Sequence, residues 1–412
     1  MANISWRAAA SLFAFSLVLF LITAGTYNAL GVVLPTMVTQ LHWGWTAAGL
    51  GFTMLGAATG ASSFIPSWLI MRFGVRPAVI LGGFVMAAGF GCLAEARGVG
   101  LYIFGCGLCG VGFQMLALIP GTHVLAGLFK HRALPFGVYF AAGSAGGVAG
   151  PLMVLGLMKL FAGDWRLLWA SQAVLSVLAG LICAALVGGK AELAEAAEHT
   201  DEALADEIRH GGAVYRTPVD WTARQAVRTP QFYLLLAAYF AHLLIGATVG
   251  ADSIAHLTQR GASLKFASAM LSFEALMQIA GRSFGGLIGD RIDPRWLLLG
   301  ALASLAIGAA ALGVARDEAM MLVYAIGSGV GFGLTLLSVT VLLLNYYGRK
   351  HNLEIFTLTC LIGTVSALGP TVAGAFRDAT GSFTPAFEAF AGLVAAILVA
   401  ALFMRPPRPS PA

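Results

Sequence analysis

Residues 319–345 read AMMLVYAIGSGVGFGLTLLSVTVLLLN, 27 residues without a charged side chain. About 20 mostly apolar residues cross the hydrocarbon core of a bilayer as an α-helix, so this stretch predicts a transmembrane helix. At its centre stands Gly329-Val330-Gly331-Phe332. The same four residues recur as Gly110-Val111-Gly112-Phe113 in another apolar run, at an offset of 219. Gly150-Pro151 and Gly369-Pro370 share that offset, as do Arg72 and Arg291. Three anchors at one offset predict a duplicated unit.

Working outward gives twelve apolar runs, at about 8–36, 46–70, 77–96, 100–128, 134–160, 166–188, 231–251, 264–289, 295–315, 319–345, 353–376 and 384–404. The first is too long, and too soon followed by another, for a cleaved signal peptide. Only residues 189–229 form a long polar connection, with eight acids and five bases. The predicted fold class is an all-α membrane protein with 12 transmembrane helices in two pseudo-symmetric six-helix bundles. Residues 1–188 form the N-terminal bundle, 189–229 a solvated linker or surface helix, and 230–412 the C-terminal bundle.

Composition agrees. The chain has 412 residues, 58% hydrophobic and only 10% charged, with a mean hydropathy of +0.84. Soluble domains carry roughly 25% charged residues, so a soluble enzyme and a disordered chain are both excluded. The 52 glycines suit helices in lipid, where small residues let backbones approach. The net charge of +5 is largely topology. With both termini inside, the cytoplasmic segments hold sixteen Lys and Arg and the outer loops seven, in line with the positive-inside rule. No nucleic-acid partner is needed to explain it. The predicted location is a bacterial inner membrane. Cys106 and Cys109 form a CxxC and Gly105–Gly110 a GxGxxG, but both lie in an apolar helix. Neither a metal site nor a dinucleotide site follows, and no cofactor is expected.

The loop Gly286-Leu-Ile-Gly-Asp290-Arg291-Ile-Asp293-Pro294-Arg295 resembles the major facilitator signature G-x-x-x-D-[RK]-x-G-[RK]-[RK]. The resemblance implies the major facilitator fold, whose two halves are related by an axis along the membrane normal. It also implies that Asp290, Arg291 and Arg72 are gating residues tying cytoplasmic helix ends together. The first-half copy, Ser67 to Arg76, keeps Arg72, Gly74 and Arg76 but has Met71 in place of the Asp. The glycine stripe Gly143 to Gly150-Pro151 is similar to one in drug/proton antiporters.

Asn345-Tyr-Tyr-Gly-Arg-Lys350, Leu368-Gly-Pro370, Arg377-Asp-Ala-Thr-Gly-Ser-Phe383 and Ala386-Phe387 resemble the Y-F-G-R-R, L-G-P, D-x-T-G-S-Y and A-F pattern of the monocarboxylate transporter family. Bacterial oxalate/formate antiporter relatives share that pattern. Arg228-Thr-Pro-Gln-Phe232 resembles the same group.

Few charges fall at mid-membrane, where each costs several kcal/mol and marks function. Arg282 and Glu274 lie in the eighth run, and the spacing 274, 278, 282 puts Glu274, Gln278 and Arg282 on one helix face. Eight residues rise about 12 Å, so Glu274 and Arg282 are not expected to pair directly. The family's essential span-8 Arg, which binds the substrate carboxylate, matches Arg282. Its Asp one turn earlier is replaced by Gln278, and its span-1 Lys is missing. One fixed cation fits one carboxylate. Glu274 is then the best remaining proton carrier; His123 and His242 are weaker candidates. Asp252 and His256, at the outer end of span 7, are either a latch or solvated loop residues.

These readings converge on a proton-coupled transporter of small monocarboxylates, lactate- or pyruvate-like, working by alternating access. It is not an enzyme and is expected to be a monomer. The predicted substrate site is Arg282 and Gln278, walled by Tyr27, Asn28, Gln114, Thr335 and Thr364. A multidrug or hydrophobic-compound exporter using proton antiport is the alternative, and a transporter-like sensor is a third class.

Overall fold

A computed structural model of the chain describes residues 6–43, 45–209 and 214–408, and every regular element among them is helical. The spans are α1 (Trp6–Leu41), α2 (Gly49–Phe73), α3 (Val75–Ala94), α4 (Val99–Leu128), α5 (Ala133–Leu160) and α6 (Trp165–Leu186). They continue as α7 (Pro230–Gln259), α8 (Leu264–Ile288), α9 (Pro294–Val314), α10 (Glu318–Tyr347), α11 (Asn352–Thr380) and α12 (Thr384–Leu402). Eleven of the described helices are long and apolar enough to cross a membrane. The exception is α8, a helix of 25 residues whose apolarity is drawn down by Glu274, Gln278 and Arg282.

Short polar residues begin five of the spans. Asp164, Thr229, Ser263, Asp293 and Asp317 each accept from a backbone N–H two or three residues on. Each satisfies an amide that a helix start leaves without an intrahelical partner. Four spans depart from regular winding, α2 by a turn at Ser62 and Ser63. α1 widens to a π-turn at Ala24–Asn28 and α4 does so at Gln114–Leu118. α11 tightens to a 3₁₀ turn at Thr364–Leu368, just before Gly369-Pro370. In lipid, carbonyls freed by such irregularities must find partners within the protein. Asn28 Nδ2 therefore donates to Thr23 O at 2.9 Å, and Thr26 Oγ1 donates to Ile22 O at 2.6 Å.

The chain divides into two compact units, residues 1–130 with 142–204, and residues 131–141 with 205–412. The sequence repeat is also a packing repeat inside each unit. Gly110 lies against Leu55 O of α2 and Gly112 against Met86 of α3. In the other unit Gly329 lies against Glu274 O of α8 and Gly331 against Leu305 of α9. Leu55 and Glu274 are 219 apart, as are Met86 and Leu305. A Cβ at any of these glycines would collide with the neighbouring helix, so the repeated tetrad sets how closely the spans approach.

The polar connection is not simply a solvated tether. Its helix Lys190–Arg209 begins against the first unit. Lys190 Nζ donates to Met71 O at 3.3 Å, and Arg7 pairs with Glu192 at 3.2 Å. The Gly189 amide and then Arg7 hold the exposed Glu192 carboxyl below the ordinary carboxylate range. The later part belongs to the second unit. Thr217 N donates to Asn345 O and Trp221 N to Tyr347 O, while Asp220 Oδ1 accepts from Arg349 N and Lys350 N at 2.9 and 3.2 Å.

Candidate functional site

Ser263 caps the start of α8, and from there a regular helix carries residues 274, 278 and 282 along one face. The face points inward: Glu274 is 4% exposed and Arg282 is 7% exposed. Gln278 Nε2 donates to both carboxylate oxygens of Glu274, at 3.1 and 3.0 Å. Gln278 thus holds the acid of this helix in place.

One turn further, Arg282 Nη1 donates to Phe140 O at 2.6 Å. Its guanidinium carbon lies 5.9 Å from the Phe140 ring and 5.6 Å from the Phe332 ring. A cation near aromatic rings gains roughly 2 kcal/mol when desolvated, which helps keep this charge inside a membrane helix. Phe332 is the last residue of the repeated tetrad. The His242 ring stacks on it, with centroids 3.8 Å apart, and Gly246 on the next turn of α7 leaves room for its edge. A cation, an acid, an amide and an imidazole therefore meet inside one unit, with the charge of Arg282 felt by both Glu274 and His242. A buried guanidinium matches the planar fork of a carboxylate and can hold it with two parallel hydrogen bonds.

The other predicted site residues are placed as follows. Thr335 is fully buried, and its hydroxyl donates to Gly331 O of its own helix at 2.7 Å. Thr364 likewise donates to Cys360 O at 3.3 Å. In the first unit Tyr27 is hydrogen-bonded to Thr59 at 3.2 Å, and Asn28 is engaged with the π-turn carbonyl. Gln114 opens the π-turn of α4 and is completely buried, with no partner for either amide atom among the described residues. Asp290 accepts three backbone amides, Arg132 N at 2.9 Å, Ala133 N at 3.1 Å and Leu134 N at 3.3 Å. It thereby caps the start of α5 with a carboxylate, where the helix dipole favours an anion. Arg72 lies over the Trp68 and Phe73 rings, and Arg291 is exposed. His256 is not a solvated loop residue: it is fully buried, with Nε2 2.9 Å from Leu312 O.

Sequence reasoning missed Phe140 and Phe332. Phe332 carried a signal, since it ends the duplicated tetrad. Phe140 carried none, because its carbonyl reaches Arg282 across 142 residues of chain.

The model of the Major Facilitator Superfamily matches residues 15–253 and 253–412, nearly the whole chain. The chain belongs to the Major Facilitator Superfamily. Members are transporters rather than enzymes, and this chain has the many apolar helices of a multi-pass membrane protein. Among solved structures of the superfamily, the proton:xylose symporter XylE is similar with a TM-score of 0.70 at 15% identity, over 96% of this chain and 95% of that one. The human organic anion transporter MFSD10 (TETRAN) has a TM-score of 0.68 at 14% identity, over 96% and 99%. At such identities the likeness speaks for the fold alone. Among curated sequences, the multidrug resistance protein MdtH of Shigella dysenteriae serotype 1 (strain Sd197) is 31% identical over 165 residues, 38% of this chain and 39% of that protein. MdtH of Salmonella paratyphi B (strain ATCC BAA-1250 / SPB7) is 29% identical over 176 residues, 40% and 41%. The match thus spans about two fifths of those relatives.

Proposed function

We propose that this major facilitator transporter carries small monocarboxylates of the lactate and pyruvate kind, with protons, by alternating access. It acts as a monomer in a bacterial inner membrane with both termini cytoplasmic. The observation that carries this reading is Arg282: a buried, aromatic-flanked guanidinium deep in α8. A cation buried at mid-span favours an anionic substrate and repels a cationic one. The test compares an acid with its amide on the purified protein. Lactate is expected to raise the melting temperature in proportion to ln(1 + [L]/Kd), and lactamide to leave it unchanged. Equal stabilisation by both would remove the carboxylate from the argument.

Glu274 is the proton carrier in this reading, because it is the acid nearest to Arg282 on the same inward face. Glu274→Gln keeps the shape and a hydrogen-bonding end, but cannot take up a proton. Acid-stimulated lactate uptake into vesicles is expected to vanish in this variant, leaving a flat pH profile. A profile identical to the parent's would assign coupling elsewhere.

A second reading, export of drugs or other apolar compounds by proton antiport, is favoured by the partial similarity to MdtH. It predicts stabilisation by apolar cations rather than by lactate in the same melting assay.

A further inference from the structure

Two hydroxyls stand between Glu274 and the end of the second unit where α7 turns into α8. Ser253 lies six residues before α7 ends at Gln259, and Tyr324 six residues after α10 starts at Glu318, each about 9 Å from its helix end. Glu274 lies ten residues into α8, about 15 Å deep from the same side. All three are interior: Tyr324 is 0% exposed, Ser253 1% and Glu274 4%. The Tyr324 hydroxyl faces Ser253 and is within electrostatic reach of Glu274. Beyond each other, neither hydroxyl has a hydrogen-bond partner among the described residues. Buried polar groups in that condition are rare and call for a physical reason.

The reason we infer is proton conduction. We propose that Ser253 and Tyr324 form the route by which a proton enters from the α7–α8 turn and reaches Glu274. The proposal rests on Glu274 being the coupling acid. A hydroxyl both donates and accepts, so it hands a proton on without ending charged. Ser253 takes a proton from water at that end and gives its own to the Tyr324 oxygen. Tyr324 gives its own proton to a Glu274 oxygen. At each hydroxyl one O–H bond forms and one breaks, both finish neutral, and the carboxylate becomes a carboxylic acid.

The surroundings suit this direction. From α8 itself, Gln278 and Arg282 face Glu274; from α10, Tyr324 does. From α7, Ser253 reaches it through Tyr324, while His242 lies deeper, against Phe332. Asp252, next to Ser253, has a buried carboxylate oxygen with no partner among the described residues, and Arg377 lies within its electrostatic reach. That acid stands at the entry side of the route.

The test needs no transported substrate. The full-length protein in liposomes is given a rapid acid jump, and the infrared carbonyl band of protonated Glu274 is followed in time. Glu274→Gln identifies the band by removing it. Tyr324→Phe keeps the ring and its packing, and is expected to slow the band's appearance at least about tenfold. Ser253→Ala is expected to slow it as well. In both variants the final amplitude and melting temperature should match the parent. An unchanged rate in Tyr324→Phe, with the band absent in Glu274→Gln, overturns the route and leaves Glu274 as carrier. Loss of amplitude together with a lowered melting temperature makes Tyr324 structural and also overturns the route. A band that survives Glu274→Gln overturns the assignment of Glu274 itself.

Discussion

Arg282→Ala is expected to lower lactate uptake into reconstituted vesicles by about 100- to 4,000-fold. Removing one partner of a buried charged contact costs about 3–5 kcal/mol, and roughly 1.4 kcal/mol corresponds to a factor of ten. The loss is specific to the anion, because alanine removes both the charge and the planar fork that would hold two carboxylate oxygens. Arg282→Lys keeps the charge but not the fork. It also gives up the geometry that places Nη1 on Phe140 O, so it should recover only a small part of the rate. Uptake at several lactate concentrations separates weakened binding from a slower cycle. A variant that folds and melts like the parent yet transports at full rate would sink the carboxylate reading.

Gly308→Ala should produce the largest change in stability. Gly308 of α9 lies directly on α10, where an added Cβ would meet the Ser328 amide and come within 2.6 Å of Ser328 Oγ and 2.7 Å of the Gly327 carbonyl carbon. Real Cβ atoms do not approach so closely, and two of these atoms are backbone, so the helices must move apart. Overpacking a filled interior costs about 1–3 kcal/mol, and this site belongs at the upper end. Gly300 of the same helix is the internal control: it is exposed, and a Cβ there meets nothing within 4 Å. Gly300→Ala should be neutral or stabilising by up to about 1 kcal/mol, the helix-propensity difference. Melting in detergent compares the two; equal melting temperatures would mean that close approach at Gly308 is not what holds α9 to α10.

How much was legible from residue order can be judged at particular positions. The twelve spans, the offset of 219 and the buried Arg282 all come from patterns along the chain. Lipid imposes a one-dimensional rule, since a helix must be apolar for about 20 residues and any charge within it stands out. α8 shows the limit of that rule. It reads as an apolar run over 264–289, yet its polar face leaves it outside the eleven described helices that are long and apolar enough to cross a membrane. The linker was read as polar and helical, but its docking at Lys190 and Asp220 depends on partners far away in the chain. His256 looked like a loop residue because it sits near a helix end; the aromatic rings of Phe383 and Phe387 enclose it instead.

By itself, then, the sequence determined a duplicated twelve-helix membrane protein, its superfamily signature, and one mid-membrane cation with an acid eight residues before it. Tertiary structure alone decided what those residues touch. It set Phe140 and Phe332 beside Arg282, turned Gln278 onto both oxygens of Glu274, and brought Asp290 to the amides that open α5. The physical reason is separation. Helix periodicity relates residues three or four apart, whereas each of these contacts except Gln278–Glu274 joins residues 50 or more apart, which only the packing of whole helices can bring together.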